Sequence, residues 1–243
     1  MKWFADLNLR VPLNNLSQTE KMIKNAHDLG YNLVAVPFSP HALQEQISQL
    51  RDICHESSID FVTRVNLFPR TSNELLHSLR RLRRKFEIVS VMFHTKDVAR
   101  QAAKDRRVDL LQFSPTNLRK RFFDEAEAEL ASQAFSSLEI EMTPLLQLTG
   151  ASRIRLFSRL RKETALAEKH KVPVTISSGA TNEYQMRGAR DYAAFATLFD
   201  LSQSSALKAL SENPFAIVER NRDKLSSKYV APGIRVVGRR DSA

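Results

Sequence analysis

The sequence predicts an α/β fold, a single TIM-like (β/α) barrel of about seven parallel strands with extra helices at its C-terminal end. Three observations predict it. Apolar β-like runs alternate with amphipathic helical runs from end to end, the rhythm of right-handed βαβ units in a parallel sheet. Several runs, LVAVPF, IVSVMF and VPVTIS, are rich in Val, Ile and Phe, as strands covered on both faces are. The turn after the first strand, RVPLNNLS, has no glycine. That favours a closed barrel over the alternative, an open doubly wound sheet with a phosphate-binding glycine turn. Residues 1–230 are expected to form one barrel domain and 231–243 a basic C-terminal tail.

The elements follow in order. The first strand is read from Trp3 to Leu9. A helix from Leu16 to Leu29 is opened by the capping box Ser17-x-x-Glu20 and stopped by Gly30. Strand two is Asn32 to Pro37. Helix two, from about Pro40 to Glu56, sets Leu43, Ile47, Leu50 and Ile53/Cys54 on one face at helical spacing. Strand three runs from Asp60 to Leu67. Helix three, Ser72 to Lys85, follows a second capping box, Thr71-x-x-Glu74. Strand four is Ile88 to Phe93, helix four Val98 to Lys104 and strand five Asp109 to Phe113. A looser helical stretch, Phe123 to Gln133, leads to strand six, Leu138 to Met142. A long helix from Arg153 to His170 precedes strand seven, Pro173 to Ser178. Three helical segments close the chain, Ala189–Phe199, Ser202–Glu212 and Pro214–Asp223.

Composition narrows the function. The chain's 243 residues suffice for one fully cored domain. No stretch approaches the roughly 20 apolar residues of a membrane span, and the N-terminal MKWFADLNLRV lacks the apolar core of a signal peptide. No membrane association is therefore expected. One cysteine, Cys54, offers neither a disulfide nor a zinc cluster, so a reducing cytoplasm is the expected setting. The net charge is +10, and 24 of the 37 cationic residues are Arg, whose planar fork matches phosphate. A field of that sign attracts polyanions.

Catalytic patterns are scarce. There is no Gly-x-Ser-x-Gly elbow, Walker loop, H-x-H or H-E-x-x-H. A barrel enzyme keeps its site at the C-terminal strand ends, where Asp6, Asn8, His94 and Glu141 fall. Asp6, His94 and Glu141 meeting there would give a metal-dependent phosphoesterase. The bland reading is that Asp6 and Asn8 satisfy loop amides and His94 caps a strand. No catalytic residue, metal ligand or cofactor is assigned to the chain.

Basic clusters are richer. Residues 71–86 sum to +4, with Arg80 and Arg84 four apart on one side of helix three. Residues 153–171 sum to +5 and include Arg153, Arg155 and Lys162, near a helix start that favours phosphate. Arg119-Lys120-Arg121 is a third cluster, Arg187 and Arg190 flank the helix after strand seven, and the tail adds Lys228, Arg235, Arg239 and Arg240. Arg64 on strand three either reaches a phosphate or forms an internal ion pair. Residues 124–141 carry six acids and no cation, either a solvated face or a surface for a basic partner. No RNA-recognition aromatic motif, zinc finger or KH loop is present, so phosphate and shape contacts are expected.

The C-terminal third carries a family resemblance. The strand ends in Ser177-Ser178-Gly179-Ala180, an Arg-x-x-Arg-Asp helix start follows (Arg187, Arg190, Asp191), then Ser211-x-x-Pro214, Asn221-Arg222 and Pro232-Gly233-x-Arg235. Phe4-Ala5-Asp6-Leu7-Asn8 and Leu29-Gly30-Tyr31 fit near the N-terminus. Together these resemble the barrel-forming third protein component of archaeal and eukaryotic ribonuclease P, over nearly the whole chain. The resemblance implies a barrel similar to the PHP phosphoesterases, with Asp6 and Asn8 where those enzymes have a His-x-His metal motif. It implies a subunit that binds ribonuclease P RNA and a small partner protein, in a heterotetramer with two copies of each, beside other ribonuclease P proteins. It implies removal of the 5′ leader from precursor tRNA by the assembly, with hydrolysis performed by the RNA and Mg2+ held at the RNA site. Ser177 and Ser178 either donate to phosphate or make a tight turn for barrel closure. The expected RNA contacts are Arg64, Arg80, Arg84, Arg153, Arg155, Lys162, Ser177, Ser178, Arg187 and Arg190.

Overall fold

Seven short strands and the helices between them follow from local signals that the chain mostly obeys. In the computed structural model, which describes residues 2–114, 117–118, 121–231 and 234–235, the strands are β1 (Phe4–Asp6), β2 (Tyr31–Phe38), β3 (Asp60–Leu67), β4 (Ile88–Met92), β5 (Leu110–Gln112), β6 (Ser137–Glu141) and β7 (Val174–Ser177). All neighbours pair in parallel, in chain order. The connecting helices are α1 (Leu16–Asp28), α2 (Gln44–Glu56), α3 (Ser72–Leu82), α4 (Lys96–Lys104), α5 (Glu125–Ala134), α6 (Thr143–Gln147) and α7 (Gly150–Lys169). After β7 come α8 (Ala189–Ala196), α9 (Gln203–Leu210) and α10 (Glu212–Leu225).

The caps explain most boundary differences. α1 is capped by Asn15, whose Oδ1 accepts from the Gln18 amide at 3.2 Å, so the Ser17/Glu20 box is not used. At α3, Thr71 accepts from the Glu74 amide as expected, but the Glu74 carboxylate takes the Arg70 amide, one residue outside the box. Gly30 follows α1 with φ +87°, a conformation glycine adopts without cost. β1 is shorter than expected because the Asn8 amide turns back to the Asp6 carboxylate, which bends the chain out of the ladder. The five-residue α6, started by Pro144, was not anticipated. Within the expected tail, β8 (Tyr229–Ala231) and β9 (Ile234–Arg235) form an antiparallel pair; Pro232, Gly233 and residues 236–243 lie outside the described residues.

The barrel closes between β7 and β1 without a regular ladder. The Gly179 amide donates to Asn8 O at 3.1 Å, the Arg10 amide to Ala180 O at 2.9 Å, and the Ser178 amide to the Asp6 carboxylate at 2.9 Å. Gly179 sits at φ +65°, and a Cβ there would meet the Glu141 side chain at 3.3 Å. The Ser-Ser-Gly-Ala segment is thus the closing seam.

Strand alternation separates two cores. Val34, Val36, Val65, Val89, Val91, Leu111 and Ile140 face outward into the main cluster with the helices. Ala5, Leu7, Leu33, Ala35, Val62, Ile88 and Leu110 form a smaller inner cluster, joined by Phe215, Ile217 and Val218 of α10. Each such buried side chain contributes about 1.5–3 kcal/mol of transfer free energy. α10 plugs the end of the barrel where the strands begin. Asn213 and Asn221 donate to Val174 O and Glu87 O at 2.7 and 2.8 Å, and Arg222 reaches Asp60, Phe61 O and Glu87.

Candidate nucleic-acid interface

Above the apolar inner layer the same inward register continues in polar residues. Arg64 lies two after Val62, Ser90 two after Ile88, and Gln112 two after Leu110. Arg64 is 0 % exposed. Its guanidinium makes two 2.6 Å bonds to the Glu139 carboxylate, one of 2.6 Å to Leu7 O and one of 2.7 Å to Asn66. Glu139 also accepts from Ser177 at 2.8 Å and from Ser90 at 3.4 Å. Every side-chain nitrogen and oxygen of this pair therefore has a partner within the barrel.

One layer higher, Glu141 accepts from Asn8, Gln112 and Arg10. Burial pushes the Glu141 carboxyl above its ordinary range, and Arg10 pulls the other way. Burial likewise raises the Asp6 carboxyl against the hydrogen bonds of Ser178 and Asn8. The carboxylates at the mouth thus face guanidinium groups and amides. His94, two residues past β4, is half-buried and joins neither. Among the described residues no group of three or more His, Cys, Asp and Glu side chains could hold a metal ion, so Asp6, His94 and Glu141 do not meet as the phosphoesterase alternative requires. Cys54 is buried, its thiol pushed up to about 12 by burial.

The expected RNA contacts separate into two sets. Arg64 and Ser177 belong to the internal network and cannot reach a phosphate. Ser178 is buried, its hydroxyl accepting from the Ala180 amide at 3.1 Å. These three assignments are corrected: their side chains lie inside the barrel wall. Arg153 is half-buried and donates to Leu145 O and Leu146 O, the free carbonyls at the end of α6. Arg121, placed in a basic cluster by sequence, is buried in a two-bond ion pair with Glu163 and stacked 5.1 Å over Phe113. Its neighbours Arg119 and Lys120 lie outside the described residues.

Arg80 and Arg81 are exposed at the end of α3 and Arg84 and Lys85 in the turn that follows it, and none of these side chains has an ion pair or hydrogen bond among the described residues. Arg83 of the same cluster differs: it clamps Asp109 at 2.5 Å and Glu87 O at 2.9 Å. Arg155 and Lys162 are exposed on α7, Arg155 touching only Ser152. Arg187 is exposed and braces its own turn through Tyr184 O and Met186 O. Arg190 lines an open cleft with Lys2, Trp3 and His27.

The acidic segment is neither of the surfaces expected for it. Asp124 caps α5 and pairs with Arg100 at 2.6 Å, Glu125 pairs with Lys169 and His170, and Glu127 is buried against Arg100. With Glu139 and Glu141 inside the barrel, only Glu129 is an exposed acid without an ion pair. Burial raises Glu127 to about 8, since Arg100 lies closer to Asp124, whose own carboxyl is lowered by it. Sequence reasoning also missed Arg106, Arg220 and Lys224. Arg106 lies more than a hundred residues from Arg220 and Lys224, and the three meet only at the plugged end.

Comparisons with known proteins agree with this architecture. The family described as RNase P subunit p30 matches residues 3–226. The ribonuclease P protein component 3 of Methanococcoides burtonii is 25% identical over 96% of this chain and 93% of its own length. That of Methanosarcina acetivorans is 31% identical over 67% of each. Among solved structures, a chain of an archaeal ribonuclease P with mature tRNA has a TM-score of 0.85 at 23% identity. It covers 98% of this chain and 100% of its own, and so shows the same fold.

Proposed function

Since the chain belongs to the RNase P subunit p30 family, it is a protein subunit of ribonuclease P, the ribonucleoprotein that cleaves the 5′ leader from precursor tRNA, and we propose that it binds and stabilises the catalytic RNA and leaves the hydrolysis to it. One observation carries this division of labour. The guanidinium groups of Arg64 and Arg10 are spent on the carboxylates of the barrel mouth, where a hydrolytic barrel would arrange a site. A phosphate approaching that mouth would meet Glu141 and a filled interior. The cations of α3 and the turn after it, of α7, and of α8 with the turn before it supply the phosphate contacts, with Arg80, Arg84, Arg153, Arg155, Lys162, Arg187 and Arg190 retained as candidates.

On this reading the chain binds no cofactor, and Mg2+ serves the RNA. Its protein contacts are other ribonuclease P proteins, first among them a small subunit that pairs with it two-to-two. The assembly works in the cytoplasm, a setting that a lone buried thiol suits. No helix of the described residues is long and apolar enough to cross a membrane.

Reconstitution tests the proposal. Ribonuclease P RNA and the companion proteins, with and without this chain, are assayed for release of the 5′ leader. The chain should raise cleavage by the assembly and show none alone. Binding should weaken steeply with salt, because phosphate contacts release counterions. Metal-stimulated cleavage by the isolated chain, lost on Glu141→Ala, would reverse the assignment.

A further inference from the structure

At the plugged end of the barrel, cations from three segments gather around one carboxylate. Asp109, buried just before β5, accepts Arg83 at 2.5 Å and the Val89 amide at 2.9 Å on Oδ2, and Arg220 at 3.1 Å on Oδ1. Arg106 and Lys224 stand beside this group with no hydrogen bond or ion pair among the described residues. Burial and the guanidinium groups of Arg220, Arg83 and Arg106 hold the Lys224 ammonium below its usual range, only partly offset by Asp109. Packing like charges in this way costs the free chain stability, and an anion relieves it.

Phe135 stands at the edge of the cluster. It ends α5 in the left-handed region, at φ +61°, where glycine is the ordinary helix terminator and a bulky residue is strained. Its ring is nevertheless displayed, 61 % exposed. The Arg106 guanidinium lies 5.7 Å from the ring centroid, and Arg220 donates to the Phe135 carbonyl at 2.9 Å. Phe135 lines an open cleft of about 340 Å³ together with Arg220, Lys171, Pro173 and Asn213. That lies within the range of about 300–1,000 Å³ usual for small-molecule sites. A flat ring with Arg106 and Arg220 against it, and Lys224 charge-coupled to both, offers what a nucleotide needs: a stacking surface and phosphate partners.

We propose that Phe135, Arg106, Arg220 and Lys224 form a site for one unpaired nucleotide of an RNA, its base stacked on the Phe135 ring and its phosphates held by the three cations. The site lies at the end of the barrel opposite the mouth and includes none of the residues expected from the sequence. The inference rests on the reading of the chain as an RNA-bound subunit, and the test separates the two.

The full chain, Phe135→Gly, Phe135→Asn, Arg106→Ala and Lys224→Ala, with Lys21→Ala on α1 as a control, are titrated against transcribed ribonuclease P RNA by fluorescence anisotropy at several salt concentrations. Melting temperatures are measured in parallel. Phe135→Gly and Phe135→Asn should melt at or above wild type, because both residues suit the left-handed conformation, yet bind about tenfold more weakly. Arg106→Ala and Lys224→Ala should lower affinity and flatten its salt dependence, and Lys21→Ala should change neither. RNA carrying 4-thiouridine should cross-link to the peptide that holds Phe135. Tight binding by wild type that all four variants retain would overturn the site while leaving the subunit reading intact. Retained RNA affinity with lost capture of a companion protein would make the patch a protein contact and likewise overturn it. Failure of wild type to bind the RNA or to raise leader cleavage would overturn the subunit reading itself.

Discussion

Changing Glu139 to Gln removes one charge from the centre of the barrel and leaves Arg64 without its paired carboxylate. Both side chains are fully buried, and they share two 2.6 Å hydrogen bonds. Breaking a buried pair from one side costs about 3–5 kcal/mol, because the remaining ion is neither solvated nor paired. For a chain of this size each kcal/mol lowers the melting temperature by about 2–4 °C, so a fall of about 6–20 °C is expected. Arg64→Met alone should cost a similar amount by stranding Glu139. The double variant Arg64→Met/Glu139→Leu should cost far less than the two singles added, since no charge remains, although Ser90, Ser177 and Leu7 O lose a partner. Urea denaturation followed by circular dichroism gives the cycle. Repeating it at 1 M salt should leave the coupling nearly unchanged, since a buried pair is screened little. Additive single costs under about 1 kcal/mol, together with weaker RNA binding by Arg64→Met, would show that Arg64 swings out to a phosphate and that the barrel interior has been misassigned.

Arg187→Ala with Arg190→Ala should keep the circular dichroism spectrum and lower RNA affinity; an unfolded double variant would make both residues structural. Gly179→Ala should destabilise the chain by about 1–3 kcal/mol in urea, because its φ of +65° is unfavourable for alanine and the new Cβ meets Glu141 at the closing seam. Glu127 holds its proton up to about pH 8 in the folded chain, against about 4.5 for an ordinary glutamate. Its contribution is therefore present at low pH and lost as pH rises from about 4.5 toward 8. Glu127→Gln, which mimics the protonated form, should flatten that decline and stabilise the chain at pH 8 by on the order of 1–3 kcal/mol, read from melting temperatures across the pH series.

The barrel was legible because its signals are local and repeated. Apolar strand runs, helical spacing and terminators such as Gly30 and Thr71 act within a few residues, and the parallel order of the strands follows from their alternation with helices. What escaped depended on contacts between distant segments. The Ser17/Glu20 pattern lost to Asn15 because the helix begins two residues earlier than the pattern implies. The role of α10 as a plug was not visible, since amphipathic spacing says that a helix packs and not against what. Asn221 and Arg222 were recognised as a motif. Their partners, Glu87, Asp60 and Phe61, lie about 135 to 162 residues away.

The arginines show most clearly where charge counting stops. A guanidinium suits phosphate because it is planar and weakly hydrated, and for those reasons it also suits a buried carboxylate. Composition cannot separate the two uses, but strand register can do so in part. Arg64 stands two residues after Val62, inside a run covered on both faces, so its side chain points where Val62 points, into the barrel. Glu139 and Glu141 share one face of their strand by the same rule. The acids of 124–141 and the arginines then stop being separate surface features: Arg100, Arg64 and Arg10 meet members of that acidic run. Removing these pairs from the count leaves the net charge of +10 unchanged and concentrates it on the outside. There α3, α7, the turn before α8 and the plugged end carry cations that no carboxylate among the described residues neutralises, a surface suited to a polyanion approaching from outside.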